Sequence, residues 1–230
     1  MAHFDLTERY DFQQWIIKDL ETENGFTHRP QSNYNQRLAM DTDILWEFLR
    51  ATQEDEMDYL LKKLDKEVIL NLINQEIIKG GLLFALKSGV YIENKQLKLV
   101  YPKPATSFNA KAVKRYEQNR FTVMEEVVYK DQERVDLVIF LNGLALFAIE
   151  LKLNSSGQSV DDAIRQLKKR DSKNRLFKFN AGVLASFAVD TLEVYMTTEI
   201  KEQDTYFLPF NMGKGEGVDL GAGNPHNESG

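Results

Sequence analysis

Three charged residues stand at defined places inside two neighbouring apolar runs, and their types suit chemistry on a phosphate ester. Asp136 lies near the start of the run 134–141, while Glu150 and Lys152 lie near the end of the run 144–153. Burying a charge without a partner costs several kcal/mol or more, so such charges need a reason. Two carboxylates and an ammonium indicate a metal site that handles phosphate.

The face on which each charge lies depends on the turn between the runs. Side chains alternate along a strand, so Glu150 and Lys152 project together. A two-residue loop at 142–143 would set Asp136 opposite Ile149, on the wrong face. A three-residue loop or a bulge would set Asp136 opposite Glu150. The metal-site hypothesis therefore predicts the odd-length loop.

The roles of these residues follow if they meet. Asp136 and Glu150 would hold one or two Mg²⁺ ions, with the backbone carbonyl of Leu151 as a further ligand. Lys152 cannot ligate a metal while it is protonated, but it could orient the attacking water or stabilise the phosphorus centre. The alternative is a plain hairpin whose charged residues lie at a solvated strand end.

A basic helix is predicted to follow the second run. It opens with a capping-box-like start at Ser159 and places Gln166 and Arg170 on one face. Such a pair can steady a DNA phosphate or a carboxylate ligand. Basic residues from 165 to 178 form a local positive patch fit for a polyanion, although such runs are usually solvated helix faces. The predicted DNA-binding residues are Arg165, Lys168, Lys169 and Arg170.

Composition narrows the function classes. The chain has 230 residues, a net charge of −6 and no cysteine, which excludes disulfides, zinc-thiolate sites and cysteine nucleophiles. Its three histidines are scattered, so a histidine-rich metal site is not expected. No apolar run approaches the roughly 20 residues of a membrane span. We therefore expect a cytoplasmic protein without a membrane partner.

The pattern predicts a helical N-terminal part over 1–89, a mixed α/β core over 90–212 and a flexible linker over 213–230. The core is expected to contain a central mixed sheet flanked by helices. Helices are predicted at 7–20, from about 36, at 105–118 and at 160–170. The region 54–86 is predicted to be helical in two pieces, with apolar residues at 57–64 and 68–77, and Gly80-Gly81 is expected to kink or break it. Strands are predicted at 90–92 and 97–101 as a hairpin at a sheet edge, and at 121–129, 134–141, 144–153, 181–188 and 192–197.

The run N-R-F-T-V-x-E-E…R-V-D-L-V-I-F-L-N-G-L-A-L…I-E-L-K resembles the N-terminal endonuclease domain of the R (restriction, motor) subunit of type I restriction-modification enzymes. The resemblance covers most of the chain and is densest from Asn119 to Lys152. It implies a restriction-endonuclease-like core of the PD-(D/E)xK type.

The resemblance implies roles for individual residues. Asp136, Glu150 and Lys152 match the family's catalytic residues, and Gln166 matches its Gln-x-x-x-Tyr motif. Two positions depart from the pattern: Val135 replaces the usual Pro, and Arg170 replaces the Tyr. An acidic residue of the first helix often joins the site in relatives, and Glu8 is the choice here, although Asp5 and Asp11 are near and nothing local separates them from it.

The implied function is a Mg²⁺-dependent DNA endonuclease, with Mn²⁺ as a substitute and no sequence preference of its own. Implied partners are DNA, the specificity and methyltransferase subunits, and a helicase motor downstream in the full-length chain. ATP is expected in the full-length subunit and not in this chain, which lacks G-x-x-x-x-G-K-[ST] and is expected to stop before the motor. The alternatives are a catalytically silent docking module and a DNA repair or structure-specific nuclease.

Overall fold

The computed structural model describes residues 4–154 and 157–210, with side chains described from residue 10 onward. The predicted linker at 213–230 and the side chain of Glu8 lie outside the described residues. The N-terminal part contains α1 (Phe4–Asn24), β1 (Thr27–His28), β2 (Tyr34–Asn35), β3 (Met40–Asp41), α2 (Thr42–Thr52), α3 (Glu54–Leu61), α4 (Lys66–Gly80) and α5 (Leu82–Ser88). The remainder contains β4 (Val90–Ile92), β5 (Lys95–Leu97), α6 (Ala110–Tyr116), β6 (Phe121–Lys130), β7 (Glu133–Leu141), β8 (Leu144–Leu151), α7 (Val160–Lys168), β9 (Ala185–Val189), β10 (Val194–Thr197) and β11 (Leu208–Pro209).

A single large sheet runs through the molecule in the order β1-β6-β7-β8-β9-β10-β11, with β3 also pairing β8. The β1–β6 and β8–β9 pairs are parallel and the others are antiparallel, so the sheet is mixed. This confirms the predicted mixed α/β fold with a central sheet flanked by helices. The β4–β5 hairpin forms a separate two-stranded sheet, so its predicted place at a sheet edge is wrong.

Helices cover both faces of this sheet near the end of β8. Ile17 of α1 packs in one apolar cluster with Leu137 and Leu151. Leu167 of α7 packs in another with Ala188 of β9, which is paired with Glu150 in the ladder. Because successive residues of a strand face opposite sides, α7 lies on the Glu150 face and α1 lies on the Leu151 face.

The N-terminal helices form the largest apolar core, and that core includes β8 residues Leu144 and Leu146. The second helix begins at Thr42, later than predicted, because the Asp41 carboxylate caps it. Its oxygen accepts hydrogen bonds from the backbone N–H groups of Asp43 and Ile44, at 3.2 and 3.1 Å. The two helical pieces predicted over 54–86 correspond to α3 and α4, and the predicted break at Gly80-Gly81 separates α4 from α5.

No single helix among the described residues is long and apolar enough to span a membrane. Helices α4 and α5 meet the length and composition test only as a pair, and the pair bends by 112° at its break. Their apolar side chains, including Ile69, Ile73 and Leu82, are buried in the N-terminal core.

Candidate active site

The β7–β8 hairpin turns through a two-residue loop, so the predicted odd-length loop is wrong. Leu141 pairs with Leu144 across Asn142-Gly143, and both loop residues have positive φ angles, 50° and 81°. Asn-Gly is the dipeptide that such a tight, twisted turn selects. The register then shifts by one residue between Ile139 and Phe140. A bulge in β8 therefore supplies the extra residue that the loop does not.

The bulge places the two carboxylates opposite each other. Beyond it, Leu137 pairs with Ile149, and the next opposed positions are Asp136 and Glu150. The antiparallel ladder ends there, and the carboxylate oxygen Oδ2 of Asp136 accepts a hydrogen bond of 2.7 Å from the N–H of Leu151. Since the N–H and C=O of an antiparallel residue face the same neighbour, the Leu151 carbonyl faces the same gap.

Glu150 is completely buried on the α7 side of the sheet. Its Oε1 accepts a hydrogen bond from Nε of Arg170 at 3.0 Å and another from Nη2 of the same guanidinium. Its Oε2 has no hydrogen-bond partner among the described residues. Burial and the neighbouring Asp136 raise the pKa of Glu150 to about 8, against the opposing effect of Arg170 and Lys152. A proton or a bound cation at Oε2 would therefore stabilise the buried Glu150 side chain.

Lys152 reaches the same place at the end of β8, where its side chain is 4% exposed. Its ammonium donates a hydrogen bond of 2.7 Å to Oε1 of Gln166 on α7. That helix is fixed at its start by the predicted capping box, in which the N–H of Ser159 donates to Asp162 at 3.0 Å. The structure thus brings together Asp136, Glu150, Lys152 and Gln166, as the sequence predicts.

Arg170 is nearly buried and binds Glu150, so its contact with a carboxylate is observed and its predicted contact with DNA stays a prediction. Helix α7 ends at Lys168, so the chain turns inward and leaves Arg170 only 7% exposed. Besides Glu150, its guanidinium binds the carbonyl of Arg134 and stacks over the ring of Tyr129, 5.3 Å from the centroid. The sequence allows Arg170 to bind either a DNA phosphate or a carboxylate, and in the structure it binds the carboxylate of Glu150.

The family model for the type I restriction enzyme R protein N terminus matches residues 5–205. The chain belongs to this family. A search of the curated proteins found no match. Membership confirms the resemblance and assigns the chain to the nuclease region of an R subunit, a component of a multi-subunit restriction system that acts on DNA.

The other predicted DNA-binding residues of this R-protein N terminus remain at the surface. Arg165 is exposed and pairs with Asp162, while Lys169 is exposed near the end of α7. Lys168 donates a hydrogen bond of 3.2 Å to the carbonyl of Gln203. Their contact with DNA stays a prediction.

Two contacts of Arg170, with Glu133 and with Tyr129, could not be predicted from the sequence. Glu133 lies 3.7 Å from its guanidinium and accepts a hydrogen bond from the hydroxyl of Tyr129. Both partners lie about 40 positions earlier in the chain, on β6 and β7, and no short-range spacing links them to Arg170. Only the pairing of the strands brings them together.

The prediction for Glu8 is not tested, because its side chain lies outside the described residues. The described carboxylate beneath α1 belongs to Glu125 of β6, which accepts hydrogen bonds from Gln13 at 2.8 Å and Gln14 at 2.6 Å. Glu125 pairs with Leu137 and therefore lies on the face opposite Asp136. Glu125 therefore holds α1 against the sheet.

The chemistry of the donor set fits Mg²⁺. No group of three or more His, Asp or Glu side chains that could hold a metal occurs among the described residues. Mg²⁺ usually takes one or two carboxylates and keeps several waters, which matches the Asp136 and Glu150 pair. The buried Oε2 of Glu150 without a hydrogen-bond partner supports this fit.

Proposed function

We propose that this chain is a metal-dependent DNA endonuclease domain that hydrolyses phosphodiesters without sequence preference of its own. The observation that carries the proposal is the convergence of Asp136, Glu150 and Lys152 at the end of the β7–β8 ladder. These residues come from two strands, and a bulge is needed to bring them to one face. A hairpin that only stabilised the fold would have no reason to bury two carboxylates together.

Asp136 and Glu150 are the residues that would hold Mg²⁺, or Mn²⁺ in its place, with the Leu151 carbonyl as a third protein ligand. The bound ion would lower the pKa of a water ligand and neutralise charge that develops on the phosphodiester. Arg170 binds one oxygen of Glu150 and leaves the other without a partner among the described residues. The guanidinium thus orients the carboxylate and keeps one oxygen for the ion.

Lys152 is the residue that would orient the attacking water or stabilise charge on the phosphoryl oxygens. Gln166 accepts a hydrogen bond from its ammonium and holds the side chain toward the carboxylates. A neutral amide oxygen suits this role, because it positions the ammonium without neutralising its charge. In the assembled enzyme, sequence recognition would belong to the specificity subunit, methylation to the methyltransferase subunit and ATP use to the motor.

The test is calorimetric titration of Mn²⁺ into the wild type, Asp136→Ala and Glu150→Ala, with Asp131→Asn as the control. Asp131 lies in the β6–β7 turn with a φ of 47°, a conformation that Asn also tolerates. Saturable binding in the wild type and in the control, lost in both site variants, is expected. Saturable binding that persists in both site variants would show that Asp136 and Glu150 do not hold the metal.

Lys152→Ala separates chemistry from metal binding. We expect it to retain Mn²⁺ binding and to lose DNA cleavage in the reconstituted restriction complex. Cleavage at the wild-type rate would remove Lys152 from the mechanism. The complex is the appropriate sample for this measurement, because the nuclease region acts there with its motor.

One observation favours a second function, that of a catalytically silent docking module. Asp136, Glu150 and Lys152 are all less than 5% exposed, and Arg170 already supplies a cation to Glu150. A closed ion-pair network of this kind could serve only to hold α7 on the sheet. Cleavage by the complete complex at an unchanged rate with Glu150→Ala would establish this alternative and refute the endonuclease proposal.

A further inference from the structure

An open depression of about 600 Å³ lies at the end of α7, next to the candidate active site. We name it the basic depression. It is lined by five cationic side chains and two carboxylates. The residues that matter here are Lys130, Lys168, Lys169, Arg170, Asp171 and Lys173. The concentration of positive charge is local, because the chain as a whole has a net charge of −6.

Arg170 connects the basic depression to the active site. It lines the depression, and its guanidinium is hydrogen-bonded to Glu150. A group held in the depression is thus separated from a candidate catalytic carboxylate by one side chain. This proximity distinguishes the depression from the basic residues of α6, which face the acidic start of α3 in a different pocket.

Part of the positive charge in the depression is balanced within the protein, and part is available to a ligand. Lys130 pairs with Asp171 at 2.8 Å, which also fixes the position of its ammonium. Lys169 and Lys173 are exposed, and within the described part of the chain neither has a carboxylate at ion-pair distance. The C-terminus of α7 contributes only about half a negative charge, which two lysines exceed.

We infer that the basic depression holds a backbone phosphate of DNA that neighbours the phosphate being cleaved. The inference rests on the proposed function for the identity of the polyanion. One DNA strand carries a charge about every 3.4 Å along the axis, so adjacent phosphates reach both the site and its margin. An acidic protein repels DNA over most of its surface, and a local basic site beside the catalytic residues overcomes this repulsion where it is needed.

The experiment measures the binding of a short fluorescent duplex by anisotropy over a range of salt concentrations, with EDTA present so that no cleavage occurs. The test variant is Lys169→Gln/Lys173→Gln. The matched control is Lys111→Gln/Lys114→Gln, which removes the same charge from exposed positions of α6. Because neutralising one phosphate fewer lowers the slope of log affinity against log salt by about 1, we expect a slope smaller by about 1 in the test variant. The control should keep the wild-type slope.

Each other outcome overturns the inference. Equal losses in the two variants would show that DNA responds to net charge alone. Unchanged binding in the test variant, or no binding by the wild type at low salt, would show that the depression holds no phosphate. Mn²⁺ titration of the same samples reports the proposed function separately. A wild type that binds DNA through these lysines but no metal would leave the phosphate site intact and refute the endonuclease.

Discussion

The two ends of the β7–β8 hairpin treat their polar groups in opposite ways. At the turn, Asn142 is fully buried, donates to the carbonyl of Leu99 at 3.0 Å and accepts from the N–H of Arg120 at 2.7 Å. The carbonyl of Gly143 accepts from the N–H of Asp41 at 2.8 Å. These contacts tie the turn to β3, to the segment after β5 and to the residue before β6. The buried polar groups named here are thus hydrogen-bonded, as is usual in a protein interior. We call this end of the hairpin the closed end.

The other end, which we call the open end, is also buried, but its polar groups are not all hydrogen-bonded within the described part of the chain. The strands separate after Leu137, Asp136 takes the place of a strand partner, and one oxygen of Glu150 is left without a hydrogen bond among the described residues. Two like charges stand together there, with the Lys152 ammonium and the Arg170 guanidinium nearby. The closed end thus provides stability, whereas the open end gives up stability, as the proposed metal site would require.

The largest expected effect is at the closed end, with Gly143→Ala. A Cβ there would lie 2.2 Å from the carbonyl oxygen of Asp41, and φ is 81°. We expect a loss of about 4–5 kcal/mol in the free energy of unfolding, measured by urea denaturation. Gly157→Ala is the control, since Gly157 has a similar φ of 78° with no atom within 4 Å of the added Cβ. It should cost about 1 kcal/mol, and equal losses would mean that the turn is not a close-packed joint.

The next largest effect is expected at the open end, with Arg170→Ala. The change leaves Glu150 buried without its guanidinium partner, and breaking such a pair costs about 3–5 kcal/mol. The loss should be smaller at pH 5 than at pH 8, since Glu150 can then take up a proton. Lys169→Ala, one position earlier and exposed, is the control and should leave the unfolding midpoint nearly unchanged. A small and pH-independent loss for Arg170→Ala would show that the open end holds no buried charge that the guanidinium compensates.

The third largest effect is the dependence of the free energy of unfolding on pH through the titration of Glu150. The folded-state pKa of Glu150 is raised from 4.5 to about 8 by burial and by Asp136. The folded state therefore binds the proton more tightly than the unfolded state, and the resulting stability is present below pH 4.5 and is lost as pH rises toward 8. Without metal, stability should fall by up to about 1.4 kcal/mol per pH unit in this window.

Glu150→Gln is the matched variant for this measurement, because it keeps the shape of the side chain and removes the titration. Its stability should vary less with pH between 5 and 8 than that of the wild type, as followed by thermal denaturation without divalent ions. Parallel curves for the two proteins would mean that another group accounts for the dependence.

The smallest effect on stability is expected for Asp136→Asn. The amide oxygen can still accept from the N–H of Leu151, and the repulsion with Glu150 disappears, so the free energy of unfolding should change by less than about 1 kcal/mol. Mn²⁺ binding should nevertheless be lost. A loss of stability as large as that of Gly143→Ala would place Asp136 with the structural residues of the closed end.

Local spacing was sufficient to predict most of the candidate site. Glu150 and Lys152 share a face because strands have a period of two, and Gln166 faces them because the capping box sets the start of α7. The predicted strands at the centre of the sheet agree with β6, β7 and β8 to within two residues at each end. The start of α2 could not be predicted in this way, since the strand pairing of Met40 and Asp41 ends the preceding segment.

The position of Arg170 shows where local spacing fails. Its charge and its place after α7 suggest the surface, yet it turns inward because Glu150, Glu133 and the Arg134 carbonyl converge on it from two strands. Electrostatic compensation of a buried carboxylate outweighs the hydration of one guanidinium when several acceptors are arranged around it. That arrangement arises only once β7 and β8 are paired.

By itself, the sequence determined the residue types of the site, the Asn-Gly turn and the membership of the chain in its family. Tertiary structure decided how the two carboxylates meet, since a bulge and not the loop corrects the register. It also decided which cations are buried at the site and which stay exposed. The physical reason is that strand alternation and turn geometry act over a few residues, whereas the partner of a buried charge is chosen by whatever the folded chain brings within reach of it.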